Sequence, residues 1–254
     1  MPWDPKTYLA FADERTRPAR DLLSRVELAV PHRIADLGCG PGNSTALLAQ
    51  KWPNAGIAGI DSSADMLAAA RATPSQAQWV EADVATWAPD GACDLIFANA
   101  TLQWLPDHAA LLPRLFSFLG PDGVLAFQMP RNFREPSHAL MAELAAEPRW
   151  HGKLDGVRDW WNVLEPDAYY DLFAATARRI DIWETRYVQL LEGPDAVYRW
   201  TLGTGLRPFA AALDGEERES FLAEYRARVA RAYPMRGNNI TLFPFQRLFC
   251  VIAK

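Results

Sequence analysis

Apolar positions in the first half of the chain follow two alternating rhythms. Short, nearly continuous apolar runs occur at "RIADLG" (33–38), "GIAGID" (56–61), "QWVEAD" (78–83), "DLIFAN" (94–99) and "GVLAFQM" (123–129). Runs of this length, lacking strict polar alternation, predict buried strands. Between them, "NSTALLAQKW", "SADMLAAARA" and "DHAALLPRLFSFL" carry apolar residues at helical spacing. Strand, helix and strand joined by short connections imply right-handed crossovers and a parallel sheet covered on both faces. Ahead of the first strand, "DPKTYLAFADERTRPARDLLSRV" reads as helix, with a break expected at Arg17-Pro18 because proline has no amide to donate.

Beyond Met129 the rhythm changes. Residues 131–178 read as helix and loop rich in Trp and Pro, with Trp150, Trp160 and Trp161 near the middle. "RRIDIWETRYVQLL" and "ITLFPFQRLFCVIAK" predict two further strands, separated by helical segments 194–203 and 214–232. Without a repeat, a low-complexity tract or a Gly/Ser linker, one domain over 1–254 is the simplest expectation.

Composition removes several classes of function. Half of the 254 residues are apolar and 22% are charged, an ordinary globular balance. The net charge is −5 with no Lys/Arg block, which argues against nucleic acid as a partner. No apolar run approaches the ~18 residues of a membrane span, and the start "MPWDPKTYLAF" lacks the pattern of a signal peptide. Cys39, Cys93 and Cys250 lie far apart, with no histidine at ligand spacing. Reduced thiols in a cytoplasmic protein, without a bound metal, are therefore expected.

Candidate chemistry centres on "ADLGCGPGNSTALL", where Gly38, Gly40 and Gly42 follow the first strand directly. Strand ends in open α/β sheets are where ligands bind, and glycines let backbone amides approach a ligand closely. A dinucleotide fingerprint wants glycine where Asn43 stands, and a phosphate-binding loop of the Walker type wants a lysine that Gly42-Asn43-Ser44 lacks. Asp36, two residues ahead of the turn, suits a cation better than a pyrophosphate. Asp61 closes the second strand and can accept ribose hydroxyls, although a dinucleotide site uses an acid at similar spacing. Asp83 closes the third strand, placed for an adenine amino group, with Ala82 and Val84 beside it.

In this order, "ADLGCGPGNST", "GIDSSADML", "VEADV" and "LIFANATLQWL" resemble the class I S-adenosylmethionine-dependent methyltransferases. The resemblance implies an α/β, Rossmann-like, mostly parallel seven-stranded sheet with its last strand antiparallel. The change of rhythm beyond Met129 adds a helical insertion in the second half. The parts would be a helical cap (1–31), a cofactor-binding core (32–130), a helical insertion or lid (131–178), and a segment completing the sheet with substrate-side helices (179–254). By position, Asp36, Gly38, Cys39, Gly40 and Gly42 would hold the methionine part of S-adenosyl-L-methionine. Asp61, with Ser62 next to it, would hold the ribose; Met66 would flank the adenine; Asp83 and Val84 would meet its edge; Asn99 would lie under the sulfonium. The product would be S-adenosyl-L-homocysteine.

Further segments, "WDPKTYLAFADERTRP", "NATLQWLPDH", "QMPRNFREPSH", "TGLRPF" and "FPFQRLF", resemble a branch of that family that esterifies trans-aconitate. A small polycarboxylate acceptor is implied. Free carboxylates have pKa values near ~4, so such an acceptor is ionised at neutral pH and needs no general base. Tyr8 and Trp104 would position it and exclude water. Its other carboxylates would want arginines: Arg207 and Arg247 first, then Arg17, Arg131 and Arg236. Other readings are a methyltransferase for another metabolite such as a quinone precursor, a nicotinamide-dependent oxidoreductase, and a cofactor-binding sensor without catalysis. A monomer or a simple homodimer is expected.

Overall fold

The computed structural model describes residues 12–73, 75–150, 152–157 and 162–254. Three aromatics named above, Tyr8, Trp160 and Trp161, lie outside these. The seven strands are β1 (Arg33–Leu37), β2 (Gly56–Asp61), β3 (Gln78–Glu81), β4 (Cys93–Asn99), β5 (Leu119–Pro130), β6 (Arg179–Glu192) and β7 (Ile240–Ala253). They form one sheet in the order β3-β2-β1-β4-β5-β7-β6. The pairs β1–β2, β1–β4, β2–β3 and β4–β5 are parallel, whereas β7 runs antiparallel to β5. The order reverses at β1, so β1 and β4 diverge from a topological switch point, where open α/β sheets bind ligands.

Helices α1 (Ala12–Ser24), α2 (Asn43–Lys51), α3 (Ala64–Arg71) and α4 (His108–Ser117) accompany the parallel strands. The break expected at Arg17-Pro18 does not occur: α1 runs through Pro18. Pro18 and Ala19, Leu22 and Leu23 after it are buried, and α1 packs on α2 and β5. That apolar face holds the helix across one missing hydrogen bond. Strand β5 begins at Leu119, earlier than the apolar run suggests, because its pairing with β4 passes through a register shift between Cys93 and Leu95.

The chain divides into two compact units. One holds the described residues up to Pro130, with Asn162–Thr185 and Arg247–Lys254. Its core is aliphatic, with Leu37, Ile60, Ile96, Leu112, Leu125 and Ile252 almost fully buried, and includes Tyr169 and Phe173 of the helix Pro166–Phe173. The other unit comprises Arg131–Trp161 and Arg186–Gln246 and contains α5 (Pro136–Ala145), α7 (Ala196–Leu202), α8 (Arg207–Ala211) and α9 (Gly215–Ala232), counting the helix Pro166–Phe173 as α6. Its core is aromatic. Phe209 and Phe221 stack at 5.8 Å, Trp200 meets Phe243 and Phe245, and Trp150 packs edge-on to Phe221. Trp150, one of the tryptophans of the 131–178 stretch, is a buried core residue of this unit.

Candidate active site

The turn after β1 is shaped by its glycines. Gly38, Gly40 and Gly42 have φ of 64°, 54° and 94°, in the left-handed region that other residues avoid. At Gly38 a second constraint applies: a Cβ would lie 2.2 Å from Thr101 Oγ1 and Cγ2. The turn is tied to β2, since the amides of Gly38 and Cys39 both donate to Ile60 O, at 2.7 and 3.0 Å. Gly42 caps α2, whose first turn therefore opens immediately after the glycines.

Asp36 is fully buried, and its Oδ2 accepts from Ser44 Oγ at 2.8 Å and Thr45 Oγ1 at 2.6 Å. Among the described residues its Oδ1 has no hydrogen-bond partner. Burial pushes this carboxyl up to about 7, the two hydroxyls pull it back, and the charge of Asp61 raises it further. An uncompensated buried carboxylate oxygen costs free energy until a donor or cation reaches it. A narrow pocket lies next to the turn, lined by Thr16, Gly38, Cys39, Asn43, Ser44 and Asn99.

Asp61, the last residue of β2, is oriented by two backbone donors. Gly40 N bonds its Oδ2 at 2.8 Å and Ser63 N bonds its Oδ1 at 2.9 Å. Each oxygen keeps capacity for a further donor, since a carboxylate offers about four acceptor sites. Ser62 beside it is exposed. Met66 opens into the core instead of solvent, being 3% exposed, and Val84 is 5% exposed. Asp83 is exposed, and its Oδ1 accepts from Ala85 N at 2.8 Å. It therefore caps the turn after β3 while remaining open to solvent.

At the end of β4, Asn99 is half-buried and its Oδ1 accepts from Gln128 Nε2. Gln128 Oε1 accepts in turn from Arg247 Nη1 at 3.0 Å. Arg247 is 4% exposed and stands opposite Pro130 in the β5–β7 register. Trp104 ends the short 3-10 turn Leu102–Trp104 and is half-buried. Arg17 is exposed on α1. The other three arginines belong to the second unit. Arg207 opens α8, and burial lowers its pKa; Arg131 is half-buried, and Arg236 is exposed.

No histidine among the described residues is set up as a base here. His108 begins α4, as the sequence suggests, and is buried between Tyr169 Oη (2.7 Å from Nδ1) and Leu102 O (2.8 Å from Nε2). Burial lowers its pKa, so the neutral ring donates from Nε2 and accepts at Nδ1. His138 is buried and held down to about 3. Among the described residues no group of three or more His, Cys, Asp or Glu could hold a metal ion. All three cysteines are buried and free.

Sequence reasoning missed Ser44, Thr45, Ser63, Thr101 and Gln128. Ser44 and Thr45 lie in the quoted "GNST" but read as ordinary first-turn residues. Gln128 carried a signal, a lone polar residue in the apolar run "GVLAFQM".

A family model described as "Methyltransferase domain" matches residues 11–176. A trans-aconitate 2-methyltransferase of Azoarcus sp. (strain BH72) is 51% identical over 252 residues, covering 99% of both chains. One from Methylobacterium nodulans is 50% identical over 253 residues, covering 99% of this chain and 98% of that one. Among solved structures, the YcgJ protein of Bacillus subtilis superposes with a TM-score of 0.60 at 14% identity, covering 94% of this chain and 98% of that one. Phosphoethanolamine N-methyltransferase 2 of Haemonchus contortus, in complex with S-adenosyl-L-methionine, gives 0.55 at 12% identity, covering 93% and 52%. These two likenesses concern the fold. Identity near one half along almost the whole length, joined to the methyltransferase-domain match, places the chain in the trans-aconitate 2-methyltransferase family.

Proposed function

We propose that the protein transfers the methyl group of S-adenosylmethionine to a carboxylate of trans-aconitate, or of a closely related small polycarboxylate, giving a monomethyl ester. The observation that carries this reading is the 51% identity to a trans-aconitate 2-methyltransferase over 99% of both chains. Local chemistry supports the cofactor. The buried Oδ1 of Asp36, which has no hydrogen-bond partner among the described residues, suits an ammonium group, and no lysine stands where a phosphate loop would need one.

Asp36 and the turn of Gly38, Cys39, Gly40 and Gly42 would hold the methionine part. Asp61, preset by the Gly40 and Ser63 amides, would accept the ribose hydroxyls with Ser62 alongside. Met66, Asp83 and Val84 would border the adenine, Met66 and Val84 as apolar walls and Asp83 as acceptor. Asn99 would sit below the sulfonium. When bound, S-adenosylmethionine supplies an electrophilic methyl on a positively charged sulfur.

The protein's own task is then placement. The acceptor is already ionised at neutral pH, so a base adds nothing, in keeping with the buried and bonded state of His108 and His138. Arg247, buried and oriented by Gln128, would hold one acceptor carboxylate, and fork geometry favours bidentate pairing. Trp104 would exclude water from the reacting oxygen. Arg207, Arg17, Arg131 and Arg236 are carried as acceptor-binding residues on the sequence resemblance, as is Tyr8 for positioning.

Thermal melting tests the reading in two steps. S-adenosylhomocysteine should raise Tm, and trans-aconitate should raise it further in its presence. Stabilisation by NAD instead would overturn the cofactor; no response to any di- or tricarboxylate would overturn the acceptor. In the same framework, Arg207→Ala should raise the KM for trans-aconitate at least tenfold while cofactor affinity stays within threefold. Unchanged acceptor kinetics would remove Arg207 from the site.

A further inference from the structure

Gln128 joins two residues to which the proposed reaction gives different tasks. Its side chain is fully buried in β5. An amide there is costly unless both of its ends are bonded, and both are. Nε2 donates to Asn99 Oδ1 at 2.5 Å, and Oε1 accepts from Arg247 Nη1 at 3.0 Å. The three residues come from neighbouring strands: Asn99 and Gln128 are register partners, and Arg247 lies opposite Pro130.

This arrangement has a direction. A guanidinium only donates, so the carbonyl end of Gln128 must face Arg247. Its amino end then faces Asn99, fixes Asn99 Oδ1 as an acceptor, and leaves the Asn99 amino group on the side away from Gln128. The choice of an amide also matters electrically. Gln128 orients the Arg247 guanidinium through a neutral oxygen, whereas a carboxylate of the same shape would cancel its charge.

We propose that Gln128 is a positioning residue for methyl transfer, setting the Asn99 carboxamide and the Arg247 guanidinium in one hydrogen-bonded row. It acts through these neighbours and is not itself in contact with the reacting atoms. The inference rests on the cofactor and acceptor reading above, with Asn99 at the sulfonium and Arg247 at an acceptor carboxylate.

Two variants of the full chain test it, each measured for melting temperature, S-adenosylhomocysteine Kd, and kcat and KM for trans-aconitate. Gln128→Glu keeps the shape but adds a charge that pairs with Arg247, so KM should rise at least tenfold. It also turns the donor facing Asn99 into an acceptor, so kcat should fall as well, while Kd stays within threefold. Gln128→Met removes both hydrogen bonds without adding charge, so kcat should fall at least tenfold with a smaller change in KM. A purely structural side chain would lower Tm without this division between the two parameters. Wild-type kcat and KM in a variant that binds S-adenosylhomocysteine would overturn the proposal. Loss of S-adenosylhomocysteine binding in both would overturn it as well, making Gln128 a folding or cofactor residue. If the unaltered enzyme leaves trans-aconitate unmethylated, it is the acceptor reading that fails.

Discussion

At Asp36 two oxygens of one carboxyl group have unlike surroundings. Oδ2 takes two hydroxyl donors and Oδ1 takes none among the described residues. With burial raising its pKa to about 7, the group is partly protonated at neutral pH without ligand. An ammonium placed at Oδ1 favours the ionised form, so ligand binding should expel the proton. The raised pKa favours the protonated, ligand-free fold at low pH, so cofactor affinity should increase as pH rises through 7. Calorimetry of S-adenosylhomocysteine binding at pH 7, in buffers of different ionisation enthalpy, should show a net release of protons. Asp36→Asn should abolish that release. Equal release by the variant would move the effect to another group. Residues of this kind divide in their legibility. Gly38 and Asp61 show in the sequence because the turn and the strand end that need them are local. Gln128 shows only as a polar residue in an apolar run; its role does not, because its partners are 29 and 119 positions away and only the folded sheet brings them together.

Elements were more readable than their ends. The buried strands announce themselves as apolar runs because parallel strands covered on both faces have no polar side to show. Ends depend on single residues. Asp107 caps α4 by accepting from Ala110 N, and its own φ is 52°. Both features can be separated by substitution. Asp107→Ala loses the cap, costing about 1 kcal/mol, and also retains a conformation that Ala tolerates poorly. Asp107→Gly loses the cap but relieves the backbone, so chemical denaturation should find it more stable than Asp107→Ala. The reverse order would show that the positive φ at this position costs Ala nothing. The same reasoning explains Pro18. Its ring was legible as a break, but the packing of α1 that carries the helix through it comes from α2 and β5, which the local pattern does not reveal. At Gly59, a Cβ would lie 2.5 Å from Trp79 Cζ3, so the strand glycine makes room for an indole twenty positions later.

At the scale of the whole molecule, the chain joins an aliphatic sheet unit to an aromatic helical one. The sheet unit holds the complete set of proposed cofactor residues, from Asp36 to Asn99, together with Arg247. That explains why the cofactor could be read from a compact run of motifs early in the chain. The acceptor could not, because its candidate arginines are scattered from Arg17 to Arg247 and an arginine alone has no distinctive neighbourhood in sequence. The central claim is transfer of a methyl group to a polycarboxylate, and mass spectrometry of the product tests it most directly. Purified enzyme, S-adenosylmethionine and trans-aconitate should yield a monomethyl ester about 14 Da heavier than the acid, with one S-adenosylhomocysteine formed per ester, since one CH2 is added net when a methyl replaces a carboxyl proton. Absence of that ester, in enzyme shown by calorimetry to bind S-adenosylhomocysteine, would contradict the account.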